Sequence, residues 1–310
     1  MKYGFGVDIG GTTIKIGLFS VEGDLIEKWE IPTNKTDNGK HILKEIADFI
    51  HRTIEKKNID KTDVLGVGLG VPGPVNKNGV VNGCVNLGWN AFNVEKEFNE
   101  ISGFSVKVGN DANVAALGEM WQGAGKGYLD VLMVTLGTGV GGGCVLDGKI
   151  VSGIHGAGGE IGHMPVKDDE PIACNCGNHG CLEQYVSATG IVTQAKKTLE
   201  KDIRSSSLRN YASLEAKNIY DEAKNGDEIA NEVVNLICKI LAKSLAQVCC
   251  VIDPEIIVIG GGVSKAGDIL TSRISTFFKE YAFHACENTP IVLAKLENDA
   301  GMYGCVKSLF

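Results

Sequence analysis

The chain has 310 residues, 44% of them apolar and 22% charged, with 41 glycines and a net charge of −8. That length exceeds one ordinary core and predicts two domains. It carries no run of Lys or Arg, so the electrostatic footprint of a nucleic-acid binder is missing and no nucleic-acid partner is expected.

The first residues, MKYGFGVDIGG, lack the long apolar core of a secretion signal. Phe5, Val7 and Ile9 alternate with polar or small residues, then Gly10-Gly11-Thr12-Thr13 turns, then Ile14, Ile16 and Leu18 alternate again. This is a strand, a tight turn and a second strand, with Glu22-Gly23-Asp24 opening another hairpin arm. A helix is predicted over 41–57, where Ile42, Ile46, Phe49, Ile50 and Ile54 share one face. A strand over 65–71 stops at Pro72-Gly73-Pro74, and a short strand over 106–109 leads into a helix over 112–121. Residues 130–151 repeat the opening plan: Val131–134 as a strand, Gly137-Thr138-Gly139 as a turn, 144–146 as a strand, then the turn Asp147-Gly148. Two such units half a chain apart predict two halves of related architecture. Long helices follow over 183–201 and 228–251. A strand over 256–259 ends in Gly260-Gly261-Gly262, and a helix covers 266–281. The most apolar tract, 248–263, is interrupted by Asp253, Pro254 and Glu255, so no membrane span is expected. Alternating strands and helices define an α/β protein.

Four segments carry chemistry. In VDIGGTTIK (7–15) an acid ends a strand and a glycine–threonine turn exposes backbone N–H groups. Glycine permits close approach of a phosphate, and Asp8 suits Mg²⁺, directly or through water. A plain hairpin turn is the alternative reading. LGTGVGGG (136–143) is a second turn of this kind. IGGGV (259–263) is a third, either close packing or room for a flat base. Three such turns on alternating halves point to a nucleotide, although no Walker A loop is present. In VGNDAN (108–113) Asn110 or Asp111 suits a helix N-cap, which is the plainer reading, while a carboxylate at Asp111 could instead accept a proton from an attacking hydroxyl. Near a helix N-terminus its carboxylate is expected to stay ionised.

The fourth segment spans 155–183 and contains EIGH followed by CNCGNHGCLE. His163, Cys174, Cys176 and Cys181 form a four-ligand set suited to tetrahedral zinc, with Glu160 and Glu183 close by. A closed set of four predicts a structural ion. Reduced thiols without metal are the alternative, and His179 competes as a ligand, though Asn178 and Gly180 beside it predict exposure. The other cysteines, Cys84, Cys144, Cys238, Cys249, Cys250, Cys286 and Cys305, lie mostly in apolar or glycine-rich surroundings. They read as buried thiols of a reducing, cytoplasmic compartment.

Together DIGGTTIK, GVPGPV, NLGW, NDAN, LGTGVGGG, GAGGEIGH, CNCGNHGCLE and DPEIIVIGGGVS resemble the ROK family of bacterial sugar kinases, from Met1 to the Asn298–Gly301 stretch. The chain looks closest to the ROK glucokinases, as NLGW (86–89) indicates. The resemblance implies an actin-like ATPase (ribonuclease H-like) fold of two α/β domains with an interdomain cleft. The expected division is 1–110 with a returning C-terminal helix at about 298–310, and 111–297 with the zinc loop. It implies ATP- and Mg²⁺-dependent phosphorylation of a hexose 6-hydroxyl, most simply of glucose. Fructose, N-acetylglucosamine or N-acetylmannosamine are the alternatives, and a homodimer or homotetramer is expected. By resemblance Asp111 is the catalytic base, and Gly73, Asn86, Asn110, Asp111, Glu160, His163 and Glu183 contact the sugar. Asp8, Gly10, Gly11, Thr12, Thr13, Lys15, Gly137, Thr138 and Gly139 face the phosphates, and Gly260, Gly261 and Gly262 border the adenosine. His163 would turn one ring nitrogen to structural Zn²⁺ and the other to a sugar hydroxyl. Some ROK proteins are repressors with a helix-turn-helix ahead of the sugar domain. Here VDIGG begins at residue 7, and Asp111 is retained, so an enzyme is expected.

Overall fold

The computed structural model describes residues Met1–Phe310. The alternation read at the N-terminus becomes a hairpin: β1 (Tyr3–Ile9) pairs antiparallel with β2 (Thr13–Ser20), with Val7 opposite Ile16 and Ile9 opposite Ile14. β3 (Leu25–Pro32) adds antiparallel to β2. β4 (Val64–Val71) lies parallel to β1. β5 (Val80–Cys84) and β6 (Trp89–Asn93) form a separate two-stranded ribbon, and β7 (Val106–Asn110) lies parallel to β4. The resulting order is β3-β2-β1-β4-β7. Phe5, Val7, Ile14, Ile16 and Leu18 are buried with Ile42, Ile46 and Ile50 of the helix Ile42–Lys56 in one core. That helix presents the face the periodicity predicted, with Phe49 partly buried at its margin.

The second sheet contains β8 (Val131–Leu136), β9 (Val140–Leu146), β10 (Lys149–Ile150), β11 (Ile256–Gly260) and β12 (Ile291–Leu293), in the order β10-β9-β8-β11-β12. β11 is parallel to both β8 and β12, as β4 is to β1 and β7. The two sheets therefore share one plan, a three-strand meander extended by two parallel strands.

The chain divides into two compact units. One comprises Met1–Leu129, Gly143–Gly159 and Lys295–Phe310; the other comprises Asp130–Gly142 and Glu160–Ala294. This differs from the expected division at residues 110 and 298. The helix Asp111–Gln122 belongs to the first unit because it packs on the C-terminal helix Ala300–Lys307. The two approach at glycines: a Cβ on Gly118 would run into the Ala300 carbonyl, and one on Gly304 into the Val114 carbonyl.

In the second unit the expected helix over 183–201 is two helices. Glu183–Val186 ends at Ser187, which is extended, and the Ser187 hydroxyl accepts from Gly190 N–H at 3.0 Å to start Ala188–Lys201. The helix Glu228–Ile252 is, by length and composition alone, long and apolar enough to cross a membrane. Its Val233, Val234, Ile237, Leu241 and Leu245 are buried in the core of the second unit. All ten cysteines are free thiols.

Replacing Gly118 by Ala should force the two helices apart. Overpacking of this kind costs about 1–3 kcal/mol, so Gly118→Ala is expected to lower the urea midpoint of unfolding, and an unchanged midpoint would contradict the close contact.

Candidate active site

In the first unit, β1 and β7 flank β4 and deliver two carboxylates at their carboxyl ends, Asp8 and Asp111. Burial pushes the Asp8 carboxyl up to about 6; the negative charge of Asp111 adds to this, and Lys15 opposes it. Lys15 stands opposite Asp8 in the hairpin register, but its Nζ donates to the Asn298 carbonyl at 2.7 Å. Its expected place against phosphates is thus shared with the returning C-terminal segment.

The capping ambiguity at Asn110 and Asp111 is resolved by hydrogen bonds. Asn110 is the N-cap: its Oδ1 accepts from Ala112 and Asn113 N–H at 3.0 and 3.1 Å, and its Nδ2 donates to the Gly73 carbonyl at 3.1 Å. Asp111 is the first helical residue, with Oδ1 accepting from Ala112 N–H at 2.8 Å. Burial raises its carboxyl above the ordinary range despite that bond, so the helix N-terminus does not outweigh desolvation. A carboxylate poised this way is a better proton acceptor than an exposed aspartate. Asn86 lies on the short turn Val85–Leu87, and a Cβ on Gly11 would sit 3.7 Å from Asn86 Cβ. The Gly10-Gly11-Thr12-Thr13 turn is closed by Gly10 N–H donating to the Thr13 carbonyl at 3.1 Å.

In the second unit the turn between β8 and β9 is closed by Gly137 N–H donating to the Gly139 carbonyl at 2.9 Å. Glu183 braces it: Oε2 accepts from Val140 N–H at 2.9 Å, and a Cβ on Gly139 would collide with that carboxylate. Gly137 and Thr138 open onto a cavity of about 890 Å³ whose other walls include Val192, Leu214, Tyr220 and Gly262. The third glycine turn divides by role. Gly261 is needed for close packing, its φ being +82° with a Cβ position 2.5 Å from the Leu136 carbonyl oxygen. Gly262 meets nothing within 4 Å and lines the cavity; Gly260 packs against Met133 and Ala294. The helices Ala188–Lys201 and Ala216–Lys224 supply much of this wall. Their cavity-facing residues have no signature in sequence.

The cysteine loop brings its expected donors together. One ligand atom each from His163, Cys174, Cys176 and Cys181 lies within 4.8 Å of every other. Cys176 and Cys181 Sγ are 3.6 Å apart, and Cys174 Sγ is 3.9 Å from His163 Nδ1. Tetrahedral zinc with Zn–S near 2.3 Å requires donors about 3.8 Å apart, so these four fit such an ion. His163 Nε2 points the other way, 4.0 Å from Glu160 Oε2. His179 is exposed and engages the Glu170 carbonyl at 2.9 Å through Nδ1, outside the donor set. Cys174 Sγ also lies 3.7 Å from Glu183 Oε1, so one carboxylate touches both the donor cluster and the glycine turn.

The raised Asp8 carboxyl has a measurable consequence. A group raised from 3.8 to about 6 binds more protons folded than unfolded, so its contribution makes stability fall as pH rises through that window, and the penalty is complete above it. Asp8→Asn is therefore expected to stabilise the protein at pH 7 by up to about 2 kcal/mol, after allowance for screening. The gain should vanish near pH 4, as thermal unfolding at the two pH values would show.

The sequence pattern defining the ROK family matches residues 4–308. A glucokinase of Halalkalibacterium halodurans is 43% identical over 304 residues, covering 96% of this chain and 92% of that protein. Among solved structures, a ROK family glucokinase from Streptomyces griseus in complex with glucose and AMPPNP is 30% identical with a TM-score of 0.76, covering 99% and 98% of the two chains. A ROK hexokinase from Thermus thermophilus is 29% identical with a TM-score of 0.82, covering 98% and 96%. The acid pair, the two glycine turns and the Cys₃His loop are thus carried on a shared scaffold, and this chain belongs to the ROK family.

Proposed function

We propose that this chain is an ATP-dependent sugar kinase that transfers the γ-phosphoryl group of ATP to the 6-hydroxyl of a hexose, with glucose as the substrate. The observation that carries this reading is Asp111: a half-buried carboxylate, raised above the ordinary range by desolvation, at the start of a helix that Asn110 caps, on a chain 43% identical to a glucokinase. The sugar oxygen attacks the γ-phosphorus, its proton passes to the Asp111 carboxylate, and ADP leaves. Phosphoryl transfer asks the protein mainly for positioning and charge stabilisation.

Gly73, Asn86, Asn110, Glu160, His163 and Glu183 are assigned to the sugar, whose many uncharged hydroxyls suit forked carboxylates and amides. The turns at 10–13 and 137–139 are assigned to the phosphates, and the cavity bordered by Gly262 to the adenosine. Mg²⁺, when bound, neutralises charge on the phosphates, and Asp8 is the residue that would hold it, directly or through water. Zn²⁺ would be held by His163, Cys174, Cys176 and Cys181 with no open position, so it orders the loop that carries His163 and Glu183. A cytoplasmic protein that assembles as a homodimer or homotetramer completes the reading.

Coupled ADP-release measurements over hexoses and N-acetylhexosamines test the reaction. Glucose-dependent release is expected. Silence across the panel rejects the kinase, and turnover of N-acetylmannosamine or another sugar without glucose moves only the substrate. Asp111→Asn keeps the size of the side chain and should lower kcat by at least ~10²-fold, the scale of a general base. Sugar binding should weaken less.

Metal analysis should find one zinc per chain. Cys176→Ser, or chelation, is expected to release it, lower thermal stability and weaken sugar binding more than ATP binding. A metal-free protein with full sugar affinity would refute this assignment.

A further inference from the structure

The chain re-enters the first unit at Lys295, and the first residues back are held by one side chain. Glu119 is fully buried, near the end of the helix that begins at Asp111. Its Oε1 accepts from Leu296 N–H at 2.7 Å and Lys295 N–H at 3.1 Å; its Oε2 accepts from Ala124 N–H at 2.7 Å and Lys295 N–H at 3.1 Å. An ionised carboxylate in a core is tolerated only when its lone pairs are met in this manner. A simple helix-end support would need the Ala124 bond alone, yet both oxygens also reach across 176 and 177 positions of sequence to residues 295 and 296.

What those residues lead to gives the clamp a purpose. Glu297 is held at φ +48°, a left-handed conformation unusual for a residue with a side chain. The Asn298 carbonyl receives Lys15 Nζ at 2.7 Å, and Asp299 pairs with Lys28 at 2.6 Å. At Gly301 the backbone meets Asp8 itself: a Cβ there would lie 2.8 Å from Asp8 Oδ2. Farther on, the Cys305 thiol donates to the Val7 carbonyl at 3.3 Å. Residues 295–301 thus run from the Glu119 carboxylate to the back of the Asp8 carboxylate.

We propose that Glu119 is a positioning residue for Asp8, fixing the re-entry of the chain at Lys295 and Leu296 so that residues 298–301 hold the Asp8 carboxylate in one orientation. The same helix carries the proton acceptor Asp111 at its first residue, so one rigid element sets both acids. This rests on the assignment of Asp8 to Mg²⁺ and phosphate.

The test is a Mg²⁺ titration of the phosphorylation rate at saturating ATP and sugar, with wild type, Glu119→Gln and a destabilised control, Ile50→Val, in a core helix away from the segment. The glutamine turns an N–H₂ group toward the backbone donors. It should raise the Mg²⁺ concentration for half-maximal rate at least ~5-fold and lower kcat about tenfold, leaving the sugar KM within about twofold. Ile50→Val should lower thermal stability without moving the Mg²⁺ midpoint. A Glu119→Gln enzyme that behaves like Ile50→Val overturns the proposal, because the residue then only supports the fold. If Glu119→Gln does not fold, Glu119→Asp takes its place. Its shortened carboxylate cannot reach all three N–H groups, so the same midpoint shift is expected, and an unmoved midpoint overturns the proposal equally. A wild-type rate independent of Mg²⁺ would instead remove the assignment of Asp8.

Discussion

Two like charges brought to the same end of one sheet are the constraint on which the first unit depends. Strand order delivers Asp8 and Asp111 on either side of β4, and each lies where ionisation is disfavoured by burial. Repulsion at Asp8 is met partly by Lys15. The remainder is the kind of deficit a divalent cation relieves. Much of the surrounding structure reads as support for that arrangement: Asn110 takes the helix cap, and Gly301 lets backbone lie against the Asp8 carboxylate.

The second unit concentrates its organisation in a single helical turn. Glu183 reaches the glycine turn through Val140 N–H and the donor cluster through Cys174. Gln184 accepts from Cys181 N–H at 3.0 Å and donates to the Ile172 carbonyl at 2.8 Å. The Tyr185 hydroxyl donates to buried Glu170 at 2.6 Å. Three successive side chains thereby hold three different stretches of chain. The break at Ser187 makes this possible, because a continuous helix would carry these side chains onward with the axis of Ala188–Lys201. In this arrangement the cysteine loop, the Glu183 carboxylate and the 137–139 glycine turn form one hydrogen-bonded body.

The sequence made the chemistry more legible than the architecture. Asp8, Asp111 and the Cys₃His residues stood out in the sequence as residue types placed beside glycine turns or one another, and the fold brings one donor atom from each of the four Cys₃His residues within 4.8 Å of the others. Strong periodicity located the helix Ile42–Lys56 and the hairpin of β1 and β2. The β5–β6 ribbon, the helix Ala216–Lys224 and the short β12 escaped because their apolar residues are few and their pairing is set by distant partners. Domain limits also escaped, since the packing of Gly118 on Ala300 links positions far apart in sequence. Glu119 has no signature in the sequence; only the fold brings two distant N–H groups to it.

The division of the chain has a consequence for its synthesis. The first unit begins at residue 1 but draws its final segment from Lys295–Phe310, and the chain crosses between units four times. Emerging vectorially from a ribosome, β1 and the helix Asp111–Gln122 must wait for residues 295–310 before Gly6 lies against the Met302 carbonyl, Gly118 against the Ala300 carbonyl, and Glu119 accepts from Lys295 and Leu296 N–H. The second unit, whose own segments end at Ala294, can complete its core earlier. The half of the molecule made first is therefore the half finished last, and a chain stalled or nicked near residue 294 would leave the acid pair on an unfinished scaffold.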